Sequence, residues 1–113
     1  MAELNLKAGR RAIELSDYNT AFTLFEHGIS FLGDDDWTLN YQLSLALYDA
    51  VAEAALIRNS LSAVTHYTDL VVLHGRCFDD KLHCKIIECL AWALCCLTSY
   101  HYHENFFHHL RQA

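Results

Sequence analysis

Apolar positions fall at helical spacing almost from the first residue. Leu4, Ala8, Ala12 and Leu15 are separated by four, four and three positions, which predicts a helix from Glu3 to Leu15 with those four on its buried face. Tyr18, Ala21, Phe22, Phe25, Ile29 and Leu32 resume the pattern after a short polar break, and predict a second helix. Trp37, Tyr41, Leu45, Tyr48, Ala52, Ala55 and Leu56 step along one stripe of a third, from Asp36 to Arg58. Leu61, Val64, Tyr67 and Val71 carry a fourth as far as Gly75. Leu82, Ile86, Cys89, Leu90, Ala93 and Leu97 form a fifth stripe, which Tyr102, Phe106 and Leu110 either extend or, after a break near Ser99, continue as a short sixth helix. Strand-like alternation is scarce, and with no proline and only four glycines the chain has few helix breakers other than short polar clusters. An all-α chain of five or six helices is expected.

The polar clusters have the chemistry of helix ends. Ser16-Asp17 and Asn59-Ser60 can accept hydrogen bonds from the free N–H groups of the helix that follows, and Phe78-Asp79-Asp80 marks a further entrance. Gly33 can take the left-handed conformation that closes a helix, and Asp34, Asp35 and Asp36 behind it suit the positive end of the next helix dipole. These three acids are therefore expected to punctuate two helices, with weak Mg²⁺ contact the most they would add.

The register repeats. Ala12, Ile13, Tyr18 and Ala21 lie 43 positions before Ala55, Leu56, Leu61 and Val64, so one helix–turn–helix junction is matched by a second. Small residues at a crossing let helices approach, and a bulky residue past the turn plugs the gap, which is how antiparallel helix pairs stack into a solenoid. Two and a half such pairs fit the length, whereas arrays usually need about three, so the chain is expected to belong to a longer array.

Composition narrows the function classes. At 113 residues and 53% hydrophobic, a single domain spanning 1–113 is expected. A formal charge of −6 and no basic run longer than Arg10-Arg11 argue against nucleic acid. Eight histidines make that charge pH-sensitive, since protonating all of them would carry it from −6 to +2. Five cysteines, an odd number with no apolar leader ahead of them, suit a reducing, cytoplasmic setting. The longest apolar stretch, 86–97, falls short of the ~20 residues of a membrane span.

The last third is rich in Cys and His, but it lacks the paired clips of a structural zinc site, and its thiols read as buried small hydrophobes. His101, Glu104 and His108 would share a helical face and are the metal candidates, against a solvated histidine-rich helix end. A nucleophilic pairing of Cys84 with His83 or His74 would need an orienting third group and a shaped pocket. The aromatic residues Phe22, Phe25, Trp37, Tyr41 and Tyr48 could line a cleft, but their helical spacing places them in the core.

Residues Ala8 to Leu82 resemble the tetratricopeptide-like helical region that follows the P-loop ATPase module in large signalling proteins. The resemblance rests on the Tyr18-to-Ala21 junction, the stretch from Phe31 to Ala54 and "FDDKL" at 78–82, and it fades over 83–113. It implies a short solenoid acting as a non-catalytic protein-interaction or relay module, without cofactor, with the kinase and ATPase activities of the resembled family residing in domains absent from this chain. The chain itself has no G-x-x-x-x-G-K-[ST] phosphate loop and no kinase motif. In a solenoid one helix of each pair faces the concave side. The polar residues of the first and third helices, Arg10, Arg11, Glu14, Asn40, Gln42, Asp49 and Glu53, are accordingly the candidates for partner binding. Two other readings stand beside this one: a small Cys/His metal-binding protein, and a membrane-associated fragment using residues 86–107. Apolar surfaces left at the ends of the array would allow self-association.

Overall fold

In a computed structural model the chain is helical, and the model describes residues 1–33 and 36–112, with side chains described for 1–33 and 37–97. The helices are α1 (Ala2–Glu14), α2 (Tyr18–Ser30), α3 (Asp36–Leu39), α4 (Tyr41–Ile57), α5 (Leu61–His74) and α6 (Phe78–Gln112). Asp34 and Asp35, and the side chain of Asp36, lie outside the described residues, so the capping role expected of this trio does too.

The two predicted junctions are the same turn. At the end of α1 the Ser16 N–H bonds the Ile13 carbonyl at 2.9 Å and the Asp17 N–H bonds the Ala12 carbonyl at 2.8 Å. At the end of α4 the Asn59 N–H bonds Leu56 and the Ser60 N–H bonds Ala55, both at 3.0 Å. This is a Schellman closure repeated 43 residues apart, with Ser16 (φ 60°) and Asn59 (φ 58°) in the left-handed position. Asp17 then caps α2, its carboxylate accepting from the Thr20 N–H and from the Thr20 hydroxyl. Ser60 occupies the matching place on α5 without a side-chain cap bond, a departure from the capping its sequence suggested.

Left-handed backbone is unfavourable for serine, whose Cβ crowds the adjacent carbonyl, and free of that cost for glycine. Ser16→Gly is therefore expected to stabilise the fold by about 1 kcal/mol, read as a higher urea midpoint at unchanged m-value. A lower midpoint would show that the Ser16 side chain holds the turn in some other way.

Turns this short fold each helix back on its predecessor. α1 packs on α2, α2 on α4, α4 on α5 and α5 on α6, while α4 also touches α1 and α6. The 43-residue register extends into the interior. Gly9, Ala12, Ala21, Phe25 and Gly28 are buried in the first pair, and Ala52, Ala55, Val64, Thr68 and Val71 are buried at the matching places in the second. Gly9 shows why size matters here. A Cβ at Gly9 would lie 2.3 Å from the Phe25 ring, so α1 and α2 close only because that position carries no side chain.

Three expectations are corrected, and of the two readings left open beyond Ser99 the continuous helix is the one observed. α1 buries Ala2, Leu6, Gly9 and Ala12, leaving Leu4 and Leu15 more than 60% exposed and Ala8 outside as well. The expected third helix is interrupted at Asn40, and α4 buries Ser44, Leu47, Val51 and Ala54 as well as Tyr41, Tyr48, Ala52 and Ala55, because helices pack on both its sides. The segment after Phe78 is one helix through Ser99 to Gln112. Its buried face is Cys84, Ile87 and Ala91; the predicted stripe of Leu82, Ile86, Cys89, Leu90, Ala93 and Leu97 faces outward. At 35 residues α6 is roughly 50 Å long, which accounts for most of the 61 Å long axis of the molecule.

Aromatic side chains close the α3–α6 corner. Trp37 stacks on His74 with ring centroids 5.1 Å apart and contacts Tyr41 and Tyr48 at 5.9 and 5.0 Å. Tyr41 donates its hydroxyl proton to Asp80, accepts from the Arg76 N–H at 2.9 Å, and carries the Arg76 guanidinium over its ring at 4.0 Å. Tyr67 packs against Phe22 and Tyr48 and donates to Glu26 at 2.8 Å. Phe25 is fully buried, and the Arg58 guanidinium covers Phe22. Phe22, Phe25, Tyr41 and Tyr48 are buried as their spacing predicted, and Trp37 is half-buried against them.

Candidate functional site

Since α4 touches both α1 and α6, the three helices leave a concavity between them. It is a groove of about 610 Å³ lined by Arg10 and Ile13 from α1, by Gln42, Leu45, Ala46, Asp49, Ala50 and Glu53 from α4, and by His83 from α6, with Phe25 at its floor. The α4 residues recur at intervals of three and four, so they occupy one face of that helix. Small residues at Ala46 and Ala50 keep the middle of the groove open.

Four of the seven predicted partner-binding residues, Arg10, Gln42, Asp49 and Glu53, meet here. The other three do not. Arg11 and Glu14 pair with each other on the exposed outer side of α1 at 2.8 Å, and Asn40 sits at the α4 N-cap beside a smaller hollow formed with Met1 and Phe31. Sequence reasoning missed His83 and the apolar wall of Ile13, Leu45, Ala46 and Ala50. A wall of that kind gives no signal of its own: of its residues only Leu45 lay on a predicted apolar stripe, and helical spacing does not tell a groove wall from core.

Asp49 is the most perturbed acid of the groove. It is half-buried, accepts a hydrogen bond from the Cys84 thiol at 3.1 Å, and has no cation within ion-pair distance among the described residues. Burial raises its pKa above the ordinary carboxylate value, opposed by the Cys84 bond and the nearby His83. Burial also pushes the Cys84 thiol upward, and the facing carboxylate adds to the shift, so this cysteine stays a neutral donor. His83 lies 3.7 Å from Glu53. Cys84 and His83 therefore turn to different acids, while His74, the other partner considered for Cys84, stacks on Trp37.

An acid whose pKa is raised on folding holds more proton in the folded than in the unfolded chain. Its contribution to stability is then greatest in acid and falls as pH rises from about 4 through the folded value. Asp49→Asn should raise the urea midpoint at pH 7 and leave it nearly unchanged at pH 4. An equal shift at both pH values would show that the carboxylate charge is not the cause.

Among the described residues no three His, Cys, Asp or Glu side chains converge in a way that would hold a metal ion. The side chains of His101, Glu104 and His108 lie outside those residues. No helix searched is long and apolar enough to cross a membrane. Comparison with known protein families, with curated proteins and with solved structures found no match.

Proposed function

We propose that the chain is a non-catalytic interaction module, a short tetratricopeptide-like stack of helix pairs that takes a peptide segment of a protein partner in the groove between α1, α4 and α6. The observation that carries this reading is the groove itself. It joins an apolar wall to charged ends, Arg10 toward α1 and Asp49 with Glu53 toward α6. Such a surface can take an apolar side chain at its centre and polar groups at either side. The repeated closure at Ser16 and Asn59 supports the stacked-pair reading, because equal turns at equal spacing present equivalent helices on one side. The likeness of 8–82 to helical regions behind ATPase modules favours a relay role in such an assembly.

The test is a peptide-display selection against the folded chain, followed by affinity measurement on three proteins. Ala46→Trp would fill the groove, while Leu73→Glu alters an exposed position away from it. Selected peptides are expected to lose at least tenfold affinity for the Trp variant and none for the Glu variant, with helicity equal in all three. Peptides that bind the Trp variant undiminished would overturn the proposal.

A further inference from the structure

α6 carries two apolar faces, and the fold uses only one. Cys84, Ile87 and Ala91 are buried against α4 and α5. On the far side Leu82, Ile86, Cys89, Leu90, Ala93 and Leu97 recur at intervals of three and four over four turns of helix, all exposed, with Leu97 64% accessible. Phe78 extends the stripe at its start, and Trp92 flanks it at 58% exposure. Monomeric proteins seldom leave so continuous an apolar strip in water.

We propose that this face pairs with the same face of a second copy, α6 against α6 in antiparallel orientation about a two-fold axis between Cys89 and Leu90. The order of sizes along the stripe argues for this occupant. A two-fold at that point sets Ala93 opposite Ile86 of the second copy and Cys89 opposite Leu90 of the second copy, small against large, and symmetry repeats each match. Leu82 meets Leu97 of the second copy at the two ends. Of the charged residues nearest the strip, Lys85 lies to its side and Asp79 stands ahead of Leu82 at its first end, and both are exposed.

The strip would remove on the order of 500 Å² from each copy, below the ~800 Å² per partner of a standard complex. The dimer is therefore expected to be reversible, with dissociation in the micromolar range. This surface is distinct from the groove, so neither proposal depends on the other.

Sedimentation velocity of the full chain, without lipid, from 1 to 200 µM tests it directly. A monomer–dimer equilibrium is expected, and Leu90→Glu should weaken it at least thirtyfold. Leu4→Glu, an exposed position on α1, should leave it unchanged, with both variants keeping wild-type helicity and melting. Orientation is read from variants that keep buried Cys84 and a single other thiol, Cys77, Cys89 or Cys96, treated with diamide, which takes up the two protons and two electrons released when two thiols join. A covalent dimer is expected through Cys89 and not through Cys77 or Cys96. A monomer at 200 µM, a dimer indifferent to Leu90→Glu, or equal cross-linking at all three thiols would overturn the proposal. So would a chain that stays monomeric alone but binds phosphatidylcholine vesicles through Leu90, because the strip would then be a lipid surface.

Discussion

Gly9→Ala should destabilise the fold by roughly 1–2 kcal/mol, although alanine is the better helix former. The added Cβ would sit 2.3 Å from one carbon of the Phe25 ring and 2.6 and 2.8 Å from two others, and Phe25 is fully buried, so the ring or the helix must shift. Overpacking of this kind costs about 1–3 kcal/mol, against a gain of up to ~1 kcal/mol in helix propensity. Phe25→Ala should cost more, about 3–5 kcal/mol, because it opens a cavity between α1, α2 and α4. The second helix pair offers a check on the mechanism. The matching positions there hold Ala52 and Thr68, both buried, so a Cβ is tolerated where the facing side chain is small. Gly9→Ala combined with Phe25→Ala should therefore cost at least ~1 kcal/mol less than the two single changes added together, since the ring that the new methyl strikes is gone. Strict additivity in urea titrations of the four proteins would show that the contact does not set the helix separation.

Loss of Tyr41 should be the other severe change, about 3–5 kcal/mol for Tyr41→Ala, because one side chain joins four elements of the corner. Its ring meets Trp37 from α3 and the Arg76 guanidinium from the α5–α6 connection, while its hydroxyl bonds Asp80 in the first turn of α6 and the Arg76 backbone. Tyr41→Phe separates the two contributions. The ring stays, but the Arg76 N–H and the Asp80 carboxylate lose their partner, which should cost about 1–2 kcal/mol. Hydrogen exchange should locate the damage. Faster exchange is expected in the first turns of α6 and less change in α1 and α2, which supply none of the ring, cation or hydrogen-bond partners of Tyr41 among the described residues. Uniform acceleration across all helices would show that Tyr41 matters only to global stability. Because His83 reaches the groove from α6, Tyr41→Ala should also weaken any groove ligand, whereas Tyr41→Phe should do so only slightly.

The helices themselves were legible because the signals that make them are local. Ser16-Asp17 and Asn59-Ser60 mark turns by what their backbone and side chains can do within four residues, and the 43-residue register between those turns reappears as one hydrogen-bond pattern. The Asn40 interruption was less legible, since Trp37 through Leu56 keep helical spacing across it and Asn40 shows its effect only once α3 turns to bring Trp37 onto His74. The groove was half legible. Polar residues on the first and third helices pointed to Arg10, Gln42, Asp49 and Glu53, but the same reasoning also produced Arg11, Glu14 and Asn40, which face elsewhere.

By itself the sequence determined that the chain is all-helical, where the Ser16 and Asn59 turns come and that these two junctions correspond, for these follow from propensity, capping and spacing along one stretch of chain. Only the tertiary structure decided which apolar face each helix buries. α1 and α6 each carry two such stripes, and counting hydrophobic positions weighs them equally. The choice falls to fit between neighbours: a glycine on α1 that admits the Phe25 ring, and on α6 the short side chains of Cys84 and Ala91 that let it lie close to α4 and α5. Packing is a property of facing surfaces, and no single stretch of sequence contains both.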